Sequence, residues 1–128
     1  MDTNFFQEDI KMSECCNGFK CPVEVTVDLI GGKWKSVILW HLAHSTLRFS
    51  ELRRLVPKAT QKMMTQQLRD LENDGLIVRT IYTQVPPKVE YSLSEFGKSL
   101  WPILEAMYTW GNNYVNSREK ITFKKINS

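Results

Sequence analysis

The sequence predicts a mainly α-helical fold that carries one small β-hairpin. Four segments with apolar residues at helical spacing come first, two short β-type runs follow, and a long amphipathic segment closes the chain. The 128 residues are enough for one domain with a small core. Domains of this size often gain stability by forming dimers.

Two helices are predicted at the start of the folded region. Pro22, a residue type favoured at the first helical position, opens a helix of about residues 22–30, and Gly31-Gly32 ends it. Apolar side chains at helical spacing predict a second helix of about residues 33–43. Residues 1–20 show no periodicity, and we interpret them as a flexible N-terminal arm.

Two further helices are expected to form a helix-turn-helix pair. Ser50 is predicted to cap the third helix, which Pro57 ends. Thr60 is predicted to cap a fourth helix that runs to about residue 74, where Gly75 supplies the C-terminal stop. A tight turn therefore joins the two helices.

A hairpin and a long helix complete the predicted fold. Two β-type runs cover residues 77–83 and 88–93, and two prolines between them mark the hairpin tip. Ser94 is expected to cap the last helix, with Pro102 kinking its interior. A helix-turn-helix followed by a hairpin predicts a winged helix-turn-helix domain over residues 21–117, with a basic tail that frays over 118–128.

The fourth helix has two chemically distinct faces. Met64, Leu68 and Leu71 form an apolar stripe that is typical of a core-facing side. Long side chains that donate hydrogen bonds occupy the other face, and the acids gather at its C-terminal end. A helix that enters the major groove N-terminus first needs this arrangement, although an ordinary surface helix can also have it. The predicted DNA-binding residues on this helix are Thr60, Gln61, Lys62, Thr65, Gln66 and Arg69.

The basic character of the chain lies in its middle segment. Residues 31–90 contain 10 Lys and Arg against 5 Asp and Glu, whereas residues 1–30 contain 2 against 6. Arg79 and Lys88 flank the proline-stiffened tip and are predicted to contact the DNA backbone. A solvated surface and a plain exposed hairpin remain alternatives. The predicted partner is double-stranded DNA, and a protein-protein adaptor of the same fold is an alternative.

Several other function classes lack their sequence signals. The chain has no 18-residue apolar run and no signal-peptide pattern, so we expect a cytoplasmic protein with no membrane contact. It has no Gly-rich phosphate loop, no nucleophile elbow and no metal-ligand pair on one helix, so we expect no enzymatic activity and no cofactor. Cys15, Cys16 and Cys21 do not match a common zinc spacing, and the odd number of cysteines makes a disulfide framework an unfavoured interpretation.

Together the motifs resemble the HxlR family of winged helix-turn-helix regulators, which is related in fold to MarR-type proteins. The resemblance covers about Cys21 to Ser117. It implies a dimeric regulator whose interface is formed by the first and last helices. A two-fold dimer in turn predicts a pseudo-palindromic operator. The matching segments are CPVE at 21–24, IGGKWK at 30–35, RFSELRR at 48–54, QKMMTQQLRDL at 61–71 and VPPKVEYSL at 85–93.

The resemblance also implies a sensor thiol. Many family members respond to quinones, aldehydes or oxidants through the cysteine before the proline, which is Cys21 here; Cys15 and Cys16 lie outside the usual pattern. A helix N-terminus lowers the pKa of a thiol and raises its thiolate fraction. We therefore expect a repressor that reacts with thiol-reactive compounds at Cys21. This reaction is expected to alter its binding to DNA. The alternative is the same fold regulated by a non-covalent ligand at the dimer interface.

The last helix carries a wide apolar stripe that predicts the dimer. Exposed in a monomer, such a stripe would be a large apolar patch, and the first helix is expected to pack near it. The predicted interface residues are Val25, Leu29, Leu100, Ile103, Leu104, Met107, Trp110 and Tyr114.

Overall fold

The computed structural model describes the backbone of residues 21–127 and the side chains of residues 21–118. The expected arm over residues 1–20, with Cys15 and Cys16, lies outside the described residues. The described chain is mainly helical with one antiparallel hairpin, as the sequence predicted. Its elements are α1 (Pro22–Ile30), α2 (Lys35–His44), α3 (Phe49–Leu55), α4 (Gln61–Asn73), β1 (Ile77–Tyr82), β2 (Lys88–Leu93), α5 (Glu95–Lys98) and α6 (Trp101–Asn127).

Local signals set the ends of α1 and α4. Pro22 stands at the start of α1, and the N–H of Gly31 donates to the carbonyl of Val27 at 2.7 Å where the helix ends. The hydroxyl of Thr60 accepts from the N–H of Met63 at 3.1 Å, which confirms the predicted cap. Gly75 has a φ of +79°, a left-handed conformation that glycine adopts without a steric penalty, so α4 stops where predicted.

The predicted cap of the third helix is wrong by two residues. Helix α3 begins at Phe49, so Ser50 lies inside its first turn and Arg48 is the N-cap. The backbone N–H of Arg48 donates to Oε1 of Glu51 at 2.7 Å. The carboxylate of Glu51, at the third helical position, thus accepts a hydrogen bond from the N–H of the N-cap residue. This is one of the two hydrogen bonds of a capping box.

The last helix is two helices rather than one kinked helix. Ser94 caps only the four-residue α5, where its hydroxyl accepts from the N–H of Gly97 at 2.9 Å. Helix α6 begins at Trp101, so Pro102 lies in its first turn. A proline excludes the hydrogen bond to the carbonyl four residues earlier, which here belongs to Lys98, the last residue of α5. The break therefore precedes Pro102, and α6 stays helical beyond Arg118, where fraying was expected.

The hairpin is held to the helices by a third extended segment. Strands β1 and β2 pair antiparallel, with Ile77 opposite Leu93 and Tyr82 opposite Lys88. Leu47, between α2 and α3, exchanges two backbone hydrogen bonds with Tyr91, at 3.0 and 2.8 Å. This bridge fixes the hairpin beside the helix-turn-helix.

One core joins the helices α1 to α4, strand β1 and helix α6, and strand β2 packs against it. The three predicted stripe residues of α4 are buried in it, and Leu104 of α6 reaches it with only 2% of its surface exposed. Leu29 and Leu100 are half-buried against the same cluster. The buried members are Ile30, Ile38, Leu39, Leu42, Leu47, Leu52, Val56, Ala59, Met64, Leu68, Leu71, Leu76, Ile77 and Leu104.

An aromatic stack fastens α6 to α2. The indole of Trp40 lies parallel to Trp101, with ring centroids 5.3 Å apart, and parallel to Tyr108 at 4.8 Å. Trp101 and Tyr108 stand seven residues apart, which is two turns of one helix. The ring of Trp40 therefore fits between two rings on the same face of α6.

Candidate nucleic-acid interface

Helix α4 presents its donor-rich face to solvent. The apolar stripe fixes the rotation of the helix, because Met64, Leu68 and Leu71 all lie in the core. The opposite side chains therefore point outward. Thr60, Gln61, Lys62, Thr65, Gln66 and Arg69 are all exposed, as the sequence analysis required of a DNA-reading face.

The N-terminal end of α4 is electrostatically suited to an anion. The first turn contains no acid, and Lys62 lies exposed within it. The helix dipole adds partial positive charge at this end. Lys58, in the turn that precedes the helix, is also exposed. A phosphate group near this turn would meet positive charge from the side chains and from the backbone.

Helix α4 contains two acids, both in its C-terminal half, and each of them faces a cation. Oδ2 of Asp70 is 3.8 Å from Nζ of Lys35, at the start of α2. Oε1 of Glu72 is 3.7 Å from Nε of Arg79, on β1. These ion pairs reduce the negative charge that α4 would present to a DNA backbone.

Gln66 also contacts one of these acids. Its Nε2 donates to Oδ1 of Asp70 at 2.9 Å, one turn further along α4. Sequence reasoning did not identify this bond, although Gln and Asp at i, i+4 spacing are a known helical pair. The two oxygens of Asp70 therefore have different partners, Lys35 and Gln66.

The hairpin forms a wing whose cations are held by acids. Lys88 lies 3.2 Å from Oε2 of Glu90, and its Nζ is 5.0 Å from the centre of the Tyr82 ring. Arg79 faces Glu72, as above. The side chains of Arg79 and Glu72 are 45% and 37% exposed, and a surface ion pair contributes at most about 1 kcal/mol, so a phosphate can compete for Arg79. The tip at residues 83–87 is exposed, and Val85 within it is 99% exposed.

Two groups near the wing and α2 have shifted pKa values. Burial raises the pKa of Tyr91; nearby Arg79 acts in the opposite sense and Glu72 adds to the rise. Burial, and then the neighbouring His44, lower the pKa of His41. Both side chains are therefore held in their neutral forms near neutral pH.

The arginines of α3 are divided between the surface and the interior. Arg54 is exposed, whereas its neighbour Arg53 is half-buried. The Nε of Arg53 is buried with no hydrogen-bond partner in the described part of the chain. Adjacent helical residues cannot face the same way, so only Arg54 joins Arg48 and Lys58 as an exposed cation on this side.

Cys21 stands at the N-terminus of α1. It is the N-cap residue, its carbonyl accepts from the N–H of Val25 at 3.0 Å, and its side chain is half-buried. The predicted location of the sensor thiol at a helix start therefore agrees with the geometry. The two other cysteines lie outside the described residues.

An apolar face on α6 is exposed in the single chain. Ile103, Met107, Trp110 and Tyr114 lie at i, i+4, i+7 and i+11, and Trp110 is 69% exposed. Part of this face lines a groove of about 680 Å³. Leu104, by contrast, is buried in the core of the chain and is only 2% exposed. This predicted interface residue therefore has almost no accessible surface that a partner could contact.

Helix α1 adds apolar surface that the sequence analysis named only in part. Val25 is exposed, as expected of an interface residue, whereas Leu29 packs on the core. Val23 and Val27 are also exposed and were missed. Their alternation with charged and polar residues gives no helical stripe, which is why the sequence pattern did not single them out.

Comparison with known proteins assigns the family. The family model described as HxlR-like helix-turn-helix matches residues 29–119, which is most of the chain. The chain belongs to this family. HxlR-family proteins are transcriptional regulators with a DNA-binding helix-turn-helix, not enzymes. The resemblance found in the sequence motifs is therefore confirmed.

Individual relatives support the same assignment. The chain is 59% identical over 108 residues to the uncharacterized HTH-type transcriptional regulator YtcD of Bacillus subtilis (strain 168), covering 84% of this chain and 86% of that one. The redox regulator HypR in its oxidized form is 55% identical, with a TM-score of 0.71 and 73% and 96% of the two chains covered. The reduced form of YodB from B. subtilis is 30% identical, with a TM-score of 0.65 and 75% and 95% covered.

The helices of the described residues were compared with the requirements for crossing a membrane. Within residues 21–127, no helix combines the length and the apolar composition that crossing a membrane requires.

Proposed function

We propose that this HxlR-family chain is a homodimeric repressor that binds double-stranded DNA sequence-specifically. The observation that carries the proposal is the exposed, donor-rich face of α4, backed by a buried stripe and free of acids in its first turn. Helix α4 enters the major groove, and the wing lies along the backbone. Thiol-reactive compounds change this binding through Cys21.

Each side chain has a definite task in this complex. Gln61 and Gln66 read base edges, because a side-chain amide both donates and accepts. Lys62 and Arg69 reach phosphates or guanine edges, and Thr65 and Thr60 contact the backbone or a base. Arg79 and Lys88 exchange their carboxylate partners for phosphates at the wing. A two-fold dimer then requires a pseudo-palindromic operator.

The α4 assignment is tested by replacing Gln61, Lys62 and Gln66 with alanine together. Binding is measured by fluorescence anisotropy against duplex DNA from upstream of the chain's own gene, at several salt concentrations. We expect the triple variant to lose affinity and base preference, with a flatter salt slope from the lost lysine. The control is Lys98→Ala, which removes an exposed cation from α5. Unchanged operator affinity in the triple variant would show that another element reads the DNA.

The dimer is proposed to form through the exposed face of α6 together with α1. Met107→Glu places a charge in the middle of the apolar face, where burial of an unpaired carboxylate is costly. We expect sedimentation to report monomers for this variant and dimers for the wild type. Val85→Glu is the control, because Val85 is 99% exposed at the wing tip. A wild type that sediments as a monomer at micromolar concentration would refute the dimer.

The proposed sensor is the thiolate of Cys21. The helix N-terminus supplies positive potential, and the side chain is accessible enough to react. Support also comes from relatives: HypR is named a redox regulator in oxidized and reduced forms, and YodB in a form treated with diamide. A quinone would be attacked at a ring carbon, forming a carbon–sulfur bond while the quinone takes up the proton. Because α1 belongs to the proposed interface, such an adduct would change the spacing of the two α4 helices.

The sensor is tested by gel shifts before and after diamide or a quinone. Cys21→Ser should bind DNA as well as the wild type and lose the response. Cys15→Ser and Cys16→Ser are the matched variants, since each removes one thiol from residues 1–20. A response that persists in Cys21→Ser but disappears in one of the others would move the sensor. A response that persists in all three would rule out single-thiol sensing.

A non-covalent ligand is the second candidate for regulation. A cavity of about 180 Å³ lies between α2 and α6, where a small apolar molecule would contact both the DNA-binding unit and the proposed dimer helix. An inducer that still releases DNA from Cys21→Ser would favour this candidate. The cavity is lined by Ser36, Val37, Trp40, Leu104, Met107 and Tyr108.

A further inference from the structure

We propose that Asp70 is a positioning residue that fixes the amide of Gln66 and so makes α4 prefer adenine over guanine at one base pair of each half-site. The inference rests on the proposed function, in which α4 occupies the major groove. It goes further in assigning a specificity role to an acid that the sequence analysis placed outside the DNA-reading face.

Each carboxylate oxygen of Asp70 has its own partner. Nζ of Lys35 lies 3.8 Å from Oδ2, and Nε2 of Gln66 donates to Oδ1 at 2.9 Å. The Lys35 side chain is only 11% exposed and that of Asp70 is 37% exposed, so the pair is partly shielded from water. Lys35 of α2 therefore attracts one oxygen of the carboxylate, and Gln66 donates to the other.

The chemistry of this contact determines which way the amide of Gln66 faces. An ionised carboxylate only accepts hydrogen bonds, so the nitrogen of the amide, and not its oxygen, must face Asp70. One N–H is used by this bond. The oxygen Oε1 and the second N–H are not used by this bond, and Gln66 as a whole is exposed.

This remaining pair of groups matches adenine. In the major groove adenine presents an N6 donor and an N7 acceptor, which a glutamine amide satisfies with its oxygen and one N–H. Guanine presents two acceptors, O6 and N7, so the fixed oxygen of Gln66 would face the oxygen of guanine. Without Asp70 the amide is free to turn its NH2 group, rather than its oxygen, toward the two acceptors of guanine. Asp70 thus excludes the orientation that tolerates guanine.

The test uses selection from a randomised duplex pool, because it needs no known operator. Sequencing of the bound DNA gives the base preference at every position for the wild type, Gln66→Ala, Asp70→Ala and the double variant. We expect one half-site position at which the wild type favours adenine over guanine by about tenfold. Asp70→Ala and Gln66→Ala should each reduce this ratio to about twofold or less, and the double variant should go no lower than Gln66→Ala.

A matched variant separates positioning from charge. Glu72→Ala also removes one negative charge from α4, but Glu72 faces Arg79 on the wing rather than Gln66. Both Asp70→Ala and Glu72→Ala should strengthen binding to all sequences, since each removes repulsion from the backbone. Only Asp70→Ala should lose the preference at the Gln66 position. Circular dichroism melts verify that each variant folds.

The failures of the two proposals are distinguishable. If Gln66→Ala loses the adenine preference and Asp70→Ala keeps it, the inference fails and the proposed function stands. If Asp70→Ala lowers preference at all positions alike, Asp70 supports α4 generally, and the positioning role is refuted. If Gln66→Ala changes no position, Gln66 does not read bases and the inference fails, and the triple variant then decides whether α4 reads the DNA.

Discussion

Replacing Trp40 with leucine tests how the DNA-binding unit is joined to α6. The ring of Trp40 lies 5.3 Å from Trp101 and 4.8 Å from Tyr108. Seven residues of α-helix span about 10.5 Å, which is close to the combined separation of the three rings. The Trp40 ring therefore makes a stacking contact on each of its two faces.

The expected loss follows from these two contacts. Each stacked aromatic pair contributes about 0.5–1.5 kcal/mol beyond its buried area, so the pairs together contribute about 1–3 kcal/mol. Leucine also fills less of the space between α2 and α6. We expect Trp40→Leu to lower the free energy of unfolding by about 2–4 kcal/mol.

The assay is urea unfolding at one fixed protein concentration, since dimerisation would otherwise change the apparent stability. A double-mutant cycle of Trp40→Leu with Tyr108→Leu should give a coupling energy of about 0.5–1.5 kcal/mol. Tyr82→Leu, which removes a ring in β1 outside the stack, should be additive with Trp40→Leu. A Trp40–Tyr108 coupling below about 0.3 kcal/mol would refute the argument from stacking.

Three further predictions concern the helix ends and the pH dependence. Thr60→Ala should cost about 1 kcal/mol in denaturant unfolding, because the N–H of Met63 loses its cap; a neutral result would mean that water replaces the hydroxyl fully. Gly97→Ala should lower the unfolding free energy by about 1–3 kcal/mol, because the added Cβ would collide with the carbonyl oxygen of Leu76; a stabilised variant would contradict that geometry. Because the pKa of folded His41 is below its ordinary value of 6.5, the unfolded chain binds more protons, and stability should fall as the pH drops through 6.5. His41→Gln should flatten that decline in melts between pH 7 and pH 5, and an unchanged slope would exclude His41 as its source.

Much of the fold follows from short-range signals. The cap at Thr60, the stop at Gly75 and the apolar stripe of α4 each depend on residues within two turns of one another. They therefore predicted where α4 begins, where it ends and which side is buried. The exposure of the donor-rich face follows directly, because fixing one side of a helix fixes the other.

The break before α6 was predicted in the wrong place, although its cause was recognised. Pro102 was expected to kink a continuous helix from within. A proline is tolerated in the first turn of a helix, so the chain ends α5 at Lys98 and starts again at Trp101. Periodicity alone cannot distinguish these outcomes, since apolar positions repeat on both sides of the break.

The sequence by itself determined the winged helix-turn-helix architecture, the orientation of α4 and the place of Cys21 at the start of α1. Only the tertiary structure decided which stripe residue of α6 is core and which is surface: Leu104 is buried and Met107 is exposed, although both lie on the same predicted stripe. It also paired Arg79 with Glu72 and Lys35 with Asp70. The physical reason is the separation, along the chain, of the residues that interact. Caps and helical stripes depend on neighbours along the chain, whereas burial of one side of a wide stripe and the choice of an ion-pair partner depend on elements that meet only after folding.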